Sequence, residues 1–409
     1  MKKTDKIPSG WSNVELKAVT KNISVGIATE VRPYVRPSGV PIIRNQNIRE
    51  NRFDDTDIIF ISEDFDRKNK NKRVRKNDVL IVRTGSNTGQ ACTVPEVFEN
   101  SQTFTTLIVR PSELLDSQYL SLHINSFGIR EVDRLSAGGG KPNLNAGFLK
   151  GYRILLPPID EQKAIAKILV SFDIVIGQNN KLIAQKELRK KWLIQNLLTG
   201  RKRLKGYECD WKELRLGQMF TERNETRQSH LPLLSLGANG IYPQSDSIKK
   251  DTSNEDKSKY RRICPGDIGY NTMRMWQGRS ALSKLEGIVS PAYTVVVPRQ
   301  NADSLFFSFL FKTSKSINLF WRKSQGLVDD TLNCKFKDFA IVKVMLPPTK
   351  DEQSAIAQII LAAEKEIQLL KTKTNMLRKQ KKGMMQVLLT GKIRLKLGDY
   401  EDNRDTNKV

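Results

Sequence analysis

Side chains suited to reading the edges of nucleic-acid bases gather in a few short loops of this sequence, while those suited to breaking bonds are scattered. Arg and Lys match guanine edges, Asn and Gln match adenine edges, and Ser and Thr mainly reach phosphate. The first half carries three such clusters: Arg44-Asn45-Gln46-Asn47, Arg83-Thr84-Gly85-Ser86-Asn87, and GGGKPNLN from Gly138 to Asn145. Its candidate readers are Arg44, Asn45, Asn47, Arg83, Thr84, Ser86, Asn87, Lys141, Asn143 and Asn145. The glycines before Lys141 would let backbone approach a phosphate. The second half offers Asn271, Thr272, Arg274, Gln277, Arg279, Asn333 and Lys335. All of these residue types also make ordinary solvated turns, so the competing reading at each position is a loop with no ligand.

Bond-breaking chemistry is not written. Cys92, Cys209, Cys264 and Cys334 form no CxxC pair, and His123 and His230 stand alone, so no metal ligand and no catalytic residue is assigned. GGGKPN and LTGKIR lack the GxxxxGK(S/T) spacing that cradles nucleotide phosphates. No (D/N/S)PP(Y/F) turn is present to hold a flipped adenine, and no glycine-rich cofactor loop follows a strand. Glu161-Gln162-Lys163 resembles part of a nuclease motif but opens a helix, with no aspartate on a neighbouring strand.

Charge points to a polyanionic partner. Lys and Arg number 69 against 44 Asp and Glu, a net charge of +25, and binding phosphates with such a surface releases condensed counterions. The runs RKNKNKRVRK (67–76) and KELRKK (186–191) read as backbone-gripping or solvent-facing charge, not as base readers. Trp192, beside the second run, reads as core or interface. The opening MKKTDKIPSGW lacks the apolar core of a secretory signal. No apolar run approaches the roughly 20 residues of a membrane span, and a cytoplasmic location is expected.

These loops must be held by something, and the sequence supplies it twice. LPPIDEQKAIAKIL from Leu156 returns as LPPTKDEQSAIAQII from Leu346. Ile165 and Ile356 are 191 residues apart, as are Leu197 and Leu388 at the start of the two LLTG ends. A period this long means two copies of one domain-plus-helix unit. The double prolines end an extended run, and Asp160-Glu161 and Asp351-Glu352 favour a helix start. Apolar residues then step by four and three. The first seam runs through Ile165, Leu169, Phe172, Ile176, Asn179, Ile183, Lys186, Lys190, Leu193 and Leu197. The second runs in the same phase through Ile356, Ile360, Ala363, Ile367, Leu370, Thr374, Leu377, Lys381, Met384 and Leu388. This is the heptad pattern of coiled-coil packing, with polar Asn179 and Lys186 able to set register. A helix over 161–198 is about 57 Å long, too long for one small domain to cover.

The expected fold is α+β: two mixed α/β domains joined by two long helices that form an antiparallel coiled coil about a pseudo-two-fold axis. The boundaries are a first domain over 1–156, a central helix over 157–200, a second domain over 201–346, a C-terminal helix over 347–398 and a polar tail over 399–409. Short β-rich runs (DIIFI, DVLIVR, TTLIVR, YTVVVP) are separated by turn residues in both domains. Asn77-Asp78-Val79-Leu80 is echoed by Gly266-Asp267-Ile268-Gly269, and Leu144-Asn145 with Phe148 by Leu332-Asn333 with Phe336.

With the paired LPPxxEQ-type starts (Leu156–Gln162, Leu346–Gln353), the LLTG ends and the Asp78–Ser86 stretch DVLIVRTGS, the whole chain resembles a specificity subunit of a Type I restriction–modification enzyme. The resemblance implies a non-catalytic protein whose two target-recognition domains each read half of a bipartite double-stranded DNA sequence. It implies docking of two methyltransferase subunits and, through them, restriction subunits. The chain itself would carry no cofactor, and S-adenosylmethionine, ATP and Mg would be used by those partners. Two heads on a rod of ~57 Å, about 17 base pairs, suit two short half-sites and a gap of about six to eight pairs. The alternatives are a specificity scaffold of a methylation-only defence system, which neighbouring genes would distinguish, and an enzyme with an unrecognised site. RNA binding has no aromatic sheet motif to support it.

Overall fold

The computed structural model describes residues 7–128, 144–237, 240–247, 253–326 and 331–395. The chain forms two compact units, residues 1–178 with 374–409, and residues 179–373. The polar tail expected over 399–409 lies outside the described residues. Two 39-residue helices, Ile159–Leu197 and Lys350–Leu388, each contribute one half to each unit.

In the first unit, strands Ser12–Glu15 and Arg153–Leu156 pair antiparallel and close the domain at its neck. A four-stranded antiparallel sheet is ordered Thr20–Val25, Thr106–Pro111, Val79–Val82, Ala91–Thr93. A second sheet, with one parallel pair, is ordered Gln102–Thr103, Val40–Ile43, Ile59–Ile61, Val35–Arg36. The all-buried VLIV of Val79–Val82 sits between two neighbours, as an apolar run without alternation requires. The second unit repeats the neck with Lys212–Arg215 and Lys343–Leu346. It repeats the main sheet in the order Phe220–Glu222, Tyr293–Pro298, Ile268–Asn271, Ser280–Leu282.

The Asp78 and Asp267 echo marks the entry to the central strand in both units. Each carboxylate is buried and accepts a backbone N–H three residues earlier, from Arg75 and Cys264, at 2.8 Å. Each also binds a guanidinium from a neighbouring segment: Arg110 at 2.7 and 2.9 Å, Arg223 at 2.7 and 3.1 Å. The residue before each aspartate, Asn77 or Gly266, has positive φ, a conformation those two types tolerate.

The LPPxxEQ repeat is explained by three contacts made twice. In the first unit Glu161, 2% exposed, accepts two bonds of 2.7 Å from Arg394 and one of 3.1 Å from the Trp11 indole. In the second unit Glu352 accepts from Arg203 at 2.8 and 3.0 Å and from Trp211 at 3.1 Å. Gln162 accepts from Asp116 N–H and donates to the Leu114 and Pro157 carbonyls. Gln353 does the same with Asp303, Asn301 and Pro347. The glycines of LLTG, Gly200 and Gly391, close the helices with φ of +73° and +68°. A side chain at Gly200 would meet the Trp211 ring, and one at Gly391 would meet Pro8 and Trp11. The nuclease-like Glu161 and Gln162 are therefore consumed in packing.

Within each unit, the start of one long helix lies against the end of the other. In the first, Ile165 and Leu169 share a core with Met385, Leu388 and Leu389, and Asp173 binds Lys381 at 2.7 and 2.8 Å. In the second, Leu197 and Leu198 share a core with Ile356, Ala357 and Ile360. There Lys190 meets Glu364 at 2.7 Å, Lys186 meets Glu366 at 2.5 Å and Lys371 meets Glu187 at 2.6 Å. Of the seam residues, Ile165, Leu169, Ile356, Ile360 and Ile367 are buried. Phe172, Ile176, Ile183, Leu370 and Leu377 are half-buried. The run KELRKK thus spends Lys186 and Lys190 on the other helix. In RKNKNKRVRK, Arg73 turns inward to buried Asp66, with its Nε 3.1 Å from both carboxylate oxygens. Trp192 is not core: it is 46% exposed.

Among the described residues no helix is long and apolar enough to cross a membrane. His123 is buried among Tyr119, Phe127 and Tyr152, and the Tyr152 hydroxyl lies 3.1 Å from its Nδ1. Burial pushes the imidazole down to about 3, so it folds neutral. Its folded value lies below the unfolded one of ~6.5, so the unfolded chain binds the proton first and stability falls as pH drops from 6.5 toward 3. The first unit should lose about 2 kcal/mol between pH 6.5 and 5 through this group. Urea unfolding across that range should show the loss in the parent and not in His123→Gln.

Candidate nucleic-acid interface

In the first unit the first two reading clusters and the described end of the third, Leu144-Asn145, are joined by hydrogen bonds. Asn45 donates through Nδ2 to the Thr84 carbonyl at 3.1 Å, joining the first loop to the second. Leu144 N–H donates to the Arg83 carbonyl at 3.1 Å, joining the described end of the third. The loop after strand Val79–Val82 thus sits between Asn45 and Leu144. Thr84, Gly85 and Ser86 are exposed, and Arg83 and Asn87 half-buried. Gly85, at φ +105°, gives the loop a turn that side chains resist. Lys141 and Asn143 lie outside the described residues.

Asn47 is a correction. It is completely buried, accepts from Arg44 N–H at 2.9 Å and donates to the Asp54 and Thr56 carbonyls at 2.9 and 2.8 Å. Its amide shapes the loop and has no free edge for a base. Arg44 donates to the Asp57 carbonyl. Asn145 is exposed, but its Oδ1 caps helix Ala146–Gly151 by accepting from Phe148 N–H. Arg44 Nε and Asn45 Oδ1 are buried with no hydrogen-bond partner, as is Asn333 Oδ1 in the second unit. Such groups carry a desolvation cost of about 1–3 kcal/mol that a bound polar ligand would relieve.

The second unit gathers its candidates in the same way. Cys334 N–H donates to the Thr272 carbonyl at 2.8 Å, joining 333–335 to the loop after strand Ile268–Asn271. Asn271 N–H donates to the Arg279 carbonyl, and Arg274 donates to Gln277 Oε1 at 3.4 Å. Arg274, Gln277, Arg279 and Lys335 are exposed, and Asn271, Thr272 and Asn333 half-buried. The pairing of Leu144-Asn145 with Leu332-Asn333 is two residues out of register. By backbone contact the counterpart of Leu144 is Cys334, and that of capping Asn145 is Lys335. Asn333 and Asn145 are therefore not equivalent. Among the described residues no cluster of His, Cys, Asp or Glu could hold a metal ion.

A domain neck, a central strand ending in a polar loop, and two long helices with clamped ends thus occur twice in one chain. The model of the type I restriction modification DNA specificity domain matches residues 8–187 and again 208–379. The chain belongs to that family. It is 27% identical over 435 residues to a putative type I restriction enzyme MjaX specificity subunit of Methanocaldococcus jannaschii, covering 97% of each. It is 26% identical over 359 residues to the MjaVIII specificity subunit of the same organism, covering 80% of this chain and 82% of that one. Its fold is that of the S subunit of a type I system from M. genitalium, with TM-score 0.60, 14% identity, and 95% and 98% of the two chains covered. The HsdS subunit of Thermoanaerobacter tengcongensis aligns with TM-score 0.51, 16% identity, and 96% and 99% covered. Family membership makes this chain a DNA-specificity component of type I restriction–modification and not an enzyme.

Substitutions at Arg83 and Asn47 would separate reading from shaping. Arg83→Ala should weaken duplex binding roughly 5- to 100-fold or relax one half-site. Asn47→Ala should instead destabilise the first unit by about 1–3 kcal/mol. Salt-titrated binding and urea unfolding of both variants check this, and unchanged affinity and motif in Arg83→Ala would count against the loop as a reader.

Proposed function

We propose that this specificity subunit reads a bipartite DNA target, each half-site through one of the two loop faces. The observation that carries the reading is the convergence of polar loops at the same end of the same sheet in both units, with different residues in each. The candidate readers are Arg83, Thr84, Ser86, Asn87 and Asn45 in the first unit and Thr272, Arg274, Gln277, Arg279 and Lys335 in the second.

The two long helices act as the spacer, an antiparallel coiled coil with pseudo-two-fold symmetry. Support comes from contacts inside each unit. Asp173–Lys381 and Glu364–Lys190 are one pair made twice, since Asp173 and Glu364, like Lys190 and Lys381, stand 191 residues apart, and both put a seam lysine against an acid on the other helix. A helix of 39 residues is about 58 Å long, which sets the scale of the gap between half-sites. Removing one heptad from each helix should shorten that gap by about three base pairs. Mapping of methylated bases in cells expressing the altered chain with its methyltransferase reads the gap, and an unchanged motif would sink the spacer role.

Two methyltransferase subunits dock on the chain, and restriction subunits join through them. S-adenosylmethionine, ATP and Mg belong to those partners, and the assembly works in the cytoplasm where its DNA is. One docking face is suggested in the second unit. Heptad spacing puts Leu182, Trp192, Ile359 and Leu369 on one flank of the helix pair and the Glu187–Lys371 bridge on the other. All four are exposed, Leu369 by 70%. Exposed apolar side chains grouped on one flank suit a protein partner better than DNA. Trp192→Glu with Leu369→Glu should abolish co-purification with the methyltransferase while circular dichroism stays unchanged. Full recovery of the complex would place docking elsewhere.

A further inference from the structure

The loop after strand Ile268–Asn271 differs in kind from its counterpart in the first unit. Where the first unit has Thr84-Gly85, the second has Met273-Arg274, followed by Met275 and Trp276. The two methionines have opposite fates. Met275 is fully buried and packs in the core with Phe320 and Ile268. Met273 is 48% exposed.

The backbone around Met273 is locked on both sides. Its N–H donates to Asn271 Oδ1 at 3.0 Å, and its carbonyl accepts from the Trp276 indole at 2.9 Å. Thr272 is held by two bonds to the Ala292 carbonyl, from its N–H at 3.0 Å and its hydroxyl at 2.9 Å. The turn ends at Gly278 with φ +72°, where the chain lies close to Ile317. An isolated exposed methionine is unremarkable on most surfaces. This one stands on a rigid turn, beside exposed Arg274 and Gln277, at the position where the first unit presents a polar loop.

Resting on the reading that this loop face contacts DNA, we infer that Met273 is a specificity-determining residue that recognises a thymine 5-methyl group in the major groove of the second half-site. The methyl is the one apolar feature among base edges of that groove, and apolar side chains recognise it by contact. A thioether is soft and unbranched, so it covers a methyl without demanding a single orientation. Arg274 and Gln277 supply polar groups for neighbouring base edges on the same turn. A wedge between base steps would need a side chain that drives into the minor groove and kinks the duplex. A turn pinned at N–H and carbonyl, flanked by an arginine and a glutamine, suits contact along the major-groove floor instead.

The test uses the full chain with its methyltransferase and a duplex carrying the motif that this complex methylates in cells. Each thymine of both half-sites, on either strand, is replaced in turn by uracil, which removes only the 5-methyl group. At one position of the second half-site the replacement should lower affinity about four-fold, the worth of one buried methyl-sized group. Met273→Ala should bind the parent duplex about four-fold more weakly and no longer distinguish thymine from uracil there, while Met273→Leu keeps the distinction. Three outcomes overturn the inference: a second half-site without a T·A pair, binding insensitive to every replacement, or Met273→Ala weakening both duplexes equally, as a wedge or packing residue would. If the parent complex binds no duplex selectively, the DNA reading itself falls. Selective binding that ignores uracil removes only the role of Met273.

Discussion

Everything in each unit depends on one buried carboxylate. Glu161 and Glu352 sit at the first turn of a long helix with almost no access to water. A buried carboxylate is costly unless it is paired and hydrogen-bonded. Here two guanidinium bonds and one indole bond satisfy each, and the guanidinium also lies over the ring of the same tryptophan. The arginine comes from the chain that follows the other long helix: Arg394 for Glu161, Arg203 for Glu352. Neither unit is complete without that returning segment. Removing it would leave a carboxylate buried and unpaired, a cost of about 3–5 kcal/mol.

That dependence explains why LPPxxEQ and LLTG are written twice almost unchanged. The prolines end the neck strand. The glutamine fixes the carbonyls at that strand end and the cap of the next domain helix. The glycine turns the chain under the tryptophan. Each residue is bound to another member of the set, so a change in one leaves its partners unsatisfied. Loops after the central strands carry no such mutual obligation. The Asp78–Arg110 and Asp267–Arg223 pairs brace the other end of those strands, at their entry.

Legibility followed the same division. The helices and their seam were readable because a period of three and four persists over ten positions, and all of those positions are buried or half-buried. The sheets were readable only as short apolar runs, since strands of three to six residues give little periodic signal. The return of Arg394 to the first unit and Arg203 to the second was not readable, because nothing local to an arginine reports a partner 233 or 149 residues away. Loop residues were found by type but not sorted by role. Asn47 and Asn145 have the side chain that reads adenine and also the side chain that caps and braces turns. Only burial and hydrogen bonds distinguish them. The charge run over 67–76 misled for a related reason: a lysine or arginine in a basic protein looks solvent-facing until an acid on another element claims it, as Asp66 claims Arg73.

The two heads could diverge because the scaffold isolates their tips from stability. In the first unit the loop after the central strand turns at Gly85 and Gly89, both at positive φ, and its neighbours anchor it through Thr84 and Arg83 carbonyls. Backbone carbonyls are present whatever the side chain, so these anchors fix Asn45 but place no restriction on the residue types at 83 and 84. In the second unit the loop is anchored by Met275 in the core and by the Thr272 carbonyl. Residue 273, between those anchors, is again left unrestricted. A recognition surface built on main-chain anchors can exchange polar for apolar tips without refolding. A protein with two unlike half-sites on one repeated scaffold requires that freedom.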